Sequence, residues 1–207
     1  MANKPSYNLT NNEIDMLTEA GNIAAGNAVT SLSKLLGKKL DMNIAKVRIE
    51  NIQELPDALG DPETYIAGML IDVEGDIKGM LLLALEPESA QKLVSLVLQE
   101  SAHSIEEFNE IECSALCETG NILAGSYISA LSTFTGLEPN ISIPKMCIDM
   151  AGAILSVPAI EFARNDNTML FIETTFREVD NVINGTYILI LDSESFNKMV
   201  DLLGDMI

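Results

Sequence analysis

The sequence predicts an α+β fold: one internally duplicated, pseudo-twofold domain in which two long helices lie on an antiparallel sheet. Three observations predict it. "DMLTEAGNIAAGN" (15–27) recurs as "SALCETGNILAGS" (114–126), and laying 15–37 over 114–136 at a shift of 99 gives ten identities in 23 ungapped positions. "GMLLLALEPESAQKLVSLVL" (79–98) lies over "GTYILILDSESFNKMVDLLG" (185–204) at a shift of 106, so the second copy holds about seven extra residues in its middle. Each copy also passes from helical to strand periodicity in the same order. Residues 1–207 therefore read as a single domain of two repeats, about 9–100 and 106–207. With only two copies, a closed pseudo-twofold body is expected rather than a solenoid.

A long helix opens each repeat, over 11–36 and 106–135, and Gly37 and Gly136 stand just past its end. In the first copy "NIAKVRI" alternates as a strand within 42–50. "YIAGMLIDV" (65–73) and "KGMLLLAL" (78–85), parted by the turn-forming "EGD", predict a hairpin, and 168–176 with 185–191 predict its copy. Short helices over 87–99 and 193–203 close the repeats, with Pro87 tolerated in a first turn and Asp192-Ser193 a good start. The segment 147–163 reads as a helix broken near Pro158.

With 47% hydrophobic residues and no tryptophan, the chain is an aliphatic-rich folded protein. Its net charge of −19 argues against nucleic acid and against an anionic membrane surface. Basic docking partners remain compatible with that acidity, as does plain solubility. No apolar run is long enough to span a bilayer, and the N-terminal residues carry no signal-peptide stretch. Cys113, Cys117 and Cys147 form no metal-ligand spacing, and His103 is the only histidine, an expected loop residue. Reduced thiols in the cytoplasm are the expectation, with no metal site.

On a helical wheel Asp15, Glu19, Asn22 and Gly26 share a strip about 60° wide, and Ser114, Glu118, Asn121 and Gly125 share its copy. Leu17, Ala20, Ala24, Ala28 and Leu35 fall opposite the first strip. Leu116, Leu123, Tyr127, Ala130 and Phe134 fall opposite the second. A polar strip is ordinarily the wet face of a helix. Here the same Glu and Asn recur in both copies, and glycine costs about 1 kcal/mol of helix stability relative to alanine. Gly26 and Gly125, one turn past each Asn, clear a shallow notch that lets another backbone approach. Gly21 and Gly120 lie to the side and serve either that purpose or close helix–helix packing. The strip therefore reads as a docking edge. An Asn amide offers a donor and an acceptor and can hold a water in line with a labile electrophile such as an acyl phosphate. Glu has no proton to take in such a reaction, so its expected task is an ion pair with a partner's lysine.

D/S-x3-E-x2-N followed by glycine, twice on long helices of a duplicated chain, resembles the CheC/CheX/FliY phosphatases of bacterial chemotaxis, and CheC-type members most. The resemblance runs from about residue 9 to the end. It implies hydrolysis of the aspartyl phosphate of the response regulator CheY. Asn22 and Asn121 would each orient the attacking water, and Glu19 and Glu118 would pair with the regulator's active-site lysine. Asp15 and Ser114 would support docking. Mg²⁺ would belong to the regulator, leaving this chain without a cofactor of its own. "IDM" (148–150) resembles the region that engages the receptor deamidase CheD. Asp149 is thus a candidate CheD contact, or else an N-cap at a helix start.

Non-catalytic flagellar-switch adaptors of the FliM type share the implied architecture, so a binding module at the switch, or one that regulates CheD, is the competing reading. The Glu/Asn pair in both halves favours the phosphatase, because an adaptor has no chemical need of it. The chain's end at Met206-Ile207, with no switch domain appended, points the same way.

Overall fold

Each long helix begins at a reciprocal capping box, and the architecture grows from those two anchors. The structure, a computed structural model, describes residues 10–42, 46–51, 53–162, 168–178 and 183–204. In α1 (Asn11–Leu36) the Thr10 hydroxyl accepts the Glu13 N–H, while the Glu13 carboxylate accepts the Thr10 N–H at 2.6 Å. The helix ends at Gly37 in the left-handed conformation (φ +62°), where the Gly37 and Lys38 N–H groups reach back to Lys34 and Ser33. The short strands β1 (Leu40–Met42) and β2 (Lys46–Asn51) follow. They cover the predicted strand 42–50 apart from residues 43–45, which lie outside the described residues. Then comes the predicted hairpin, β3 (Tyr65–Gly75) and β4 (Gly79–Leu85). Gly75, at φ +100°, makes the turn, and a Cβ there would stand 2.7 Å from the Glu138 carbonyl oxygen. α2 (Pro87–Leu98) closes this half.

The second half repeats the order with α3 (Glu110–Thr135), β5 (Pro139–Ile141) and β6 (Lys145–Met150). After these, α4 (Ala151–Phe162) stands where the first half has only a 3-10 turn at Leu55–Asp57. The hairpin β7 (Thr168–Glu178) and β8 (Asn184–Leu191) and the helix α5 (Ser193–Gly204) complete it. The Asp192 carboxylate caps α5 by accepting the Ser195 N–H at 2.8 Å.

Three expectations need correction. The helix predicted over 106–135 begins at Glu110, because Asn109 and Glu112 form the capping box there and Ile105–Glu107 makes a separate 3-10 turn. The segment 147–163 is not one broken helix: residues 147–150 belong to β6, which pairs with β3, and α4 runs unbroken through Pro158 to Phe162. Residue 163 lies outside the described residues. Leu35, placed on the buried side of α1, is 43% exposed in the last turn, and Leu32 is the last fully buried residue of the helix, with Leu36 partly buried against the core.

All pairings in the sheet are antiparallel, in the order β1-β7-β8-β4-β3-β5, with β2 also on β7 and β6 also on β3. The edge strands therefore cross over: those of the first half pair with the second hairpin, and those of the second half with the first. In the central β4–β8 ladder, Gly79 faces Leu191 and Leu85 faces Gly185, and a shift of 106 turns each pair into the other.

One sheet face carries the larger core, including Met69, Leu81, Leu83, Ile172 and Leu189, beneath α1, α2, α3 and α5. The other face, with Leu70, Leu82, Phe171 and Ile188, packs under α4. Every residue of β4 is buried, as a strand covered on both faces requires. Each fully buried leucine there contributes about 2 kcal/mol.

Candidate functional site

The two motif strips lie on the outer faces of α1 and α3, whose inner faces are fixed by the core. Beneath the first strip Leu17, Ala20, Ala24 and Ala28 are fully buried. Beneath the second, Leu116, Leu123, Ala124 and Tyr127 are buried, as are Ile128 and Leu131 further along. The two helices pack against each other and are joined by a 2.7 Å hydrogen bond between the Ser31 and Ser126 hydroxyls. That bond lies past both motifs, so Asp15–Gly26 and Ser114–Gly125 form two separate surfaces.

Asp15, Glu19, Ser114 and Glu118 are exposed, and Asn22, Asn121, Gly26 and Gly125 are half-buried at the level of the helix backbone. Within each strip the leading residue and the Glu stand outermost and the Asn sits lower. A Cβ on Gly125 would meet nothing within 4 Å, and one on Gly26 would meet only the Met42 sulfur at 3.8 Å. Neither glycine is therefore required by packing among the described residues. Gly120 differs. A Cβ there would stand 2.7 Å from the Met69 sulfur, so this glycine seats α3 on the sheet rather than against another helix. Gly21 is buried.

Asp149 is exposed on β6, opposite Ile66 of β3, and its carboxylate accepts the Met150 N–H at 2.8 Å. It does not cap α4. The Ala151 and Gly152 N–H groups donate to the carbonyls of Thr64 and Pro62 at 2.7 and 2.9 Å, so the loop before β3 takes that role. Met150, next to Asp149, and Val157 and Ile160 of α4 are exposed apolar side chains.

The family model "Chemotaxis phosphatase CheX" matches residues 67–162, and that of the "CheC-like family" matches residues 13–43. The CheY-P phosphatase CheC of Bacillus subtilis is 29% identical over 196 residues, which span 93% of this chain and 94% of that protein. The chain is thus similar in sequence to the CheC and CheX phosphatases of chemotaxis. Its fold is also that of Thermotoga maritima FliY, with a TM-score of 0.75 at 24% identity over 96% of this chain and 99% of that one. A chain of the CheX–CheY–BeF3–Mg²⁺ complex from Borrelia burgdorferi matches with a TM-score of 0.58 at 17% identity, over 87% of this chain and 99% of that one.

One residue outside the motif anchors the start of the helix that carries the second strip. Glu112 is buried at the start of α3, where its carboxylate accepts the Asn109 N–H at 2.8 Å and the His103 N–H at 2.8 Å, with the His103 ring Nδ1 at 3.0 Å. The Asn109 N–H, and after it the His103 groups, hold the carboxyl below the usual range against the opposing effect of burial. His103 is exposed in a loop, as expected, but tied to this carboxylate. "NEIE" (109–112) carries the capping-box pattern that would have marked Glu112. Cys113, Cys117 and Cys147 are free thiols, half-buried, and burial raises the pKa of each. Among the described residues no group of His, Cys, Asp and Glu is placed to hold a metal, and no helix is long and apolar enough to cross a membrane.

Proposed function

We propose that this chain is a protein phosphatase that hydrolyses the aspartyl phosphate of a CheY-type response regulator, at two pseudo-equivalent sites. What carries the reading is the doubled Glu/Asn strip: on each long helix a Glu stands outermost, an Asn sits half-buried one turn on, and the glycine beyond leaves open space. The chain is also 29% identical to the CheY-P phosphatase CheC of B. subtilis, and a structure of its fold is that of a CheX–CheY–BeF3–Mg²⁺ complex.

The acyl phosphate and its Mg²⁺ come with the regulator, which is the substrate. Docking puts the regulator's active site over the strip. Glu19 or Glu118 pairs with its lysine and sets the register. The Asn22 or Asn121 amide then holds a water in line with the phosphorus, while Asp15 or Ser114 and the open glycine let the two backbones approach. Attack of this water breaks the phosphorus–aspartyl oxygen bond. The products are inorganic phosphate and the free regulator aspartate. We read the chain as two repeats, about 9–100 and 106–207, acting in the cytoplasm, and the exchange symmetry of the β4–β8 ladder supports the duplication.

The receptor deamidase CheD is proposed as a second partner, docking at Asp149 and the exposed apolar side chains of Met150, Val157 and Ile160. Flagellar switch proteins are proposed as possible neighbours in the cell.

The test is steady-state hydrolysis of the phosphorylated cognate regulator. The wild type should accelerate phosphate release, and Glu19→Ala/Glu118→Ala should raise KM with kcat retained. A wild type that leaves the regulator's own dephosphorylation rate unchanged overturns the proposal.

A further inference from the structure

Beside the second strip the edge of the sheet carries a β-bulge whose central side chain is the most exposed large hydrophobic residue of the described chain. Ile141 faces Val73 and Lys145 faces Leu70, so three residues, Ser142-Ile143-Pro144, stand against two of β3. Ser142 anchors the bulge: its N–H donates to the Asp72 carbonyl and its hydroxyl accepts the Asp72 N–H, both at 3.0 Å. Ile143 is thrown outward and is 81% exposed.

The bulge lies level with the catalytic strip. Met146 of β6 faces Met69 of β3, whose sulfur lies under Gly120 of α3, and this sets β6 against that part of the helix. From there the strand runs back towards the end of α3. At about 3.3 Å per strand residue and 1.5 Å per helix residue, the three residues back to Ile143 correspond to about six helix residues, which sets it near the level of Gly125.

The sequence of this stretch recurs at the motif's own shift. Adding 99 carries Ile44, Lys46 and Ile49 onto Ile143, Lys145 and Ile148. The register on β7 also slips by one residue between Met42, which faces Phe176, and Lys46, which faces Glu173. In the first half the Met42 sulfur abuts Gly26, the counterpart of Gly125. Ile44 itself lies outside the described residues.

An isoleucine left in water at a pinned bulge belongs to neither core cluster of the described residues. We infer that Ile143 is an apolar anchor for the response regulator, burying against its surface while Glu118 and Asn121 engage its active site. This rests on the proposed phosphatase reading and adds the residue that gives the docking its apolar contact. Ion pairs at an exposed rim contribute little affinity alone, whereas a buried aliphatic side chain contributes much more.

The experiment isolates the second strip. In an Asn22→Ala background, Ile143→Ser should raise KM for the phosphorylated regulator about tenfold, as expected for losing one buried aliphatic contact, with kcat unchanged. Ile143→Val should restore most of the affinity, and thermal unfolding of both variants should match the parent. An unchanged KM in Ile143→Ser, with the parent still active, overturns the anchor and leaves the phosphatase reading standing. A parent that hydrolyses nothing while the wild type is active removes the second strip as a site, and the anchor with it. A wild type without activity overturns both.

Discussion

Gly125→Ala should make the protein more stable and a worse phosphatase. In a helix interior alanine is favoured over glycine by about 1 kcal/mol. A Cβ on Gly125 meets nothing within 4 Å, so no clash offsets that gain. For a chain of this size the midpoint of thermal unfolding should rise by about 2–4 °C. The new methyl group stands on the strip one turn from Asn121, where a docked regulator's backbone would lie, and KM for the phosphorylated regulator should rise. Gly120→Ala is the contrast. Its Cβ would be 2.7 Å from the Met69 sulfur, so that side chain must shift and the helix gain is consumed. Calorimetry of the two variants, with regulator kinetics on Gly125→Ala in an Asn22→Ala background that isolates the second strip, tests the reasoning. A Gly125→Ala protein with raised stability and unchanged KM would refute the notch, and one with lowered stability would refute the open space around the residue.

Two further outcomes are expected. Because native contacts hold the Glu112 carboxyl below its ordinary pKa, its contribution to stability is present above the usual value of about 4.3 and is lost as pH falls through the lower folded value. Glu112→Gln should therefore unfold well below wild type at pH 7, with the gap narrowing on acidification; an equal gap at pH 7 and pH 3 would contradict the cap. Asp149→Lys reverses a charge on an exposed strand and should weaken capture of CheD in a binding assay without changing thermal stability, and undiminished capture removes Asp149 from that contact.

The long helices, their glycine ends and both hairpins are legible because they rest on local chemistry: caps, periodicity and turn residues. The exchanged edge strands are not, since a strand such as β6 is chosen by the open edge of β3 rather than by its own weak pattern. The same absence of local signal turns 147–150 into apparent helix, with the apolar α4 following it directly. The face of β4 under α4 was foreshadowed by the unbroken run "GMLLLAL", which only a strand covered on both sides can use. The motif residues were readable because they repeat. Ile143 was not singled out, because its exposure depends on a bulge defined by long-range register. Glu112 carried a local signature, but its tie to His103 depends on the loop that returns the chain to α3.

The central claim is that two asparagines hold the attacking water. Its most direct test is the rate of phosphate release from a saturating phosphorylated regulator for Asn22→Ala/Asn121→Ala, together with binding of the regulator loaded with beryllofluoride, a phosphoryl mimic. The account predicts that release falls to the regulator's unaided rate while binding is kept. A double variant that releases phosphate as fast as the wild type would contradict it.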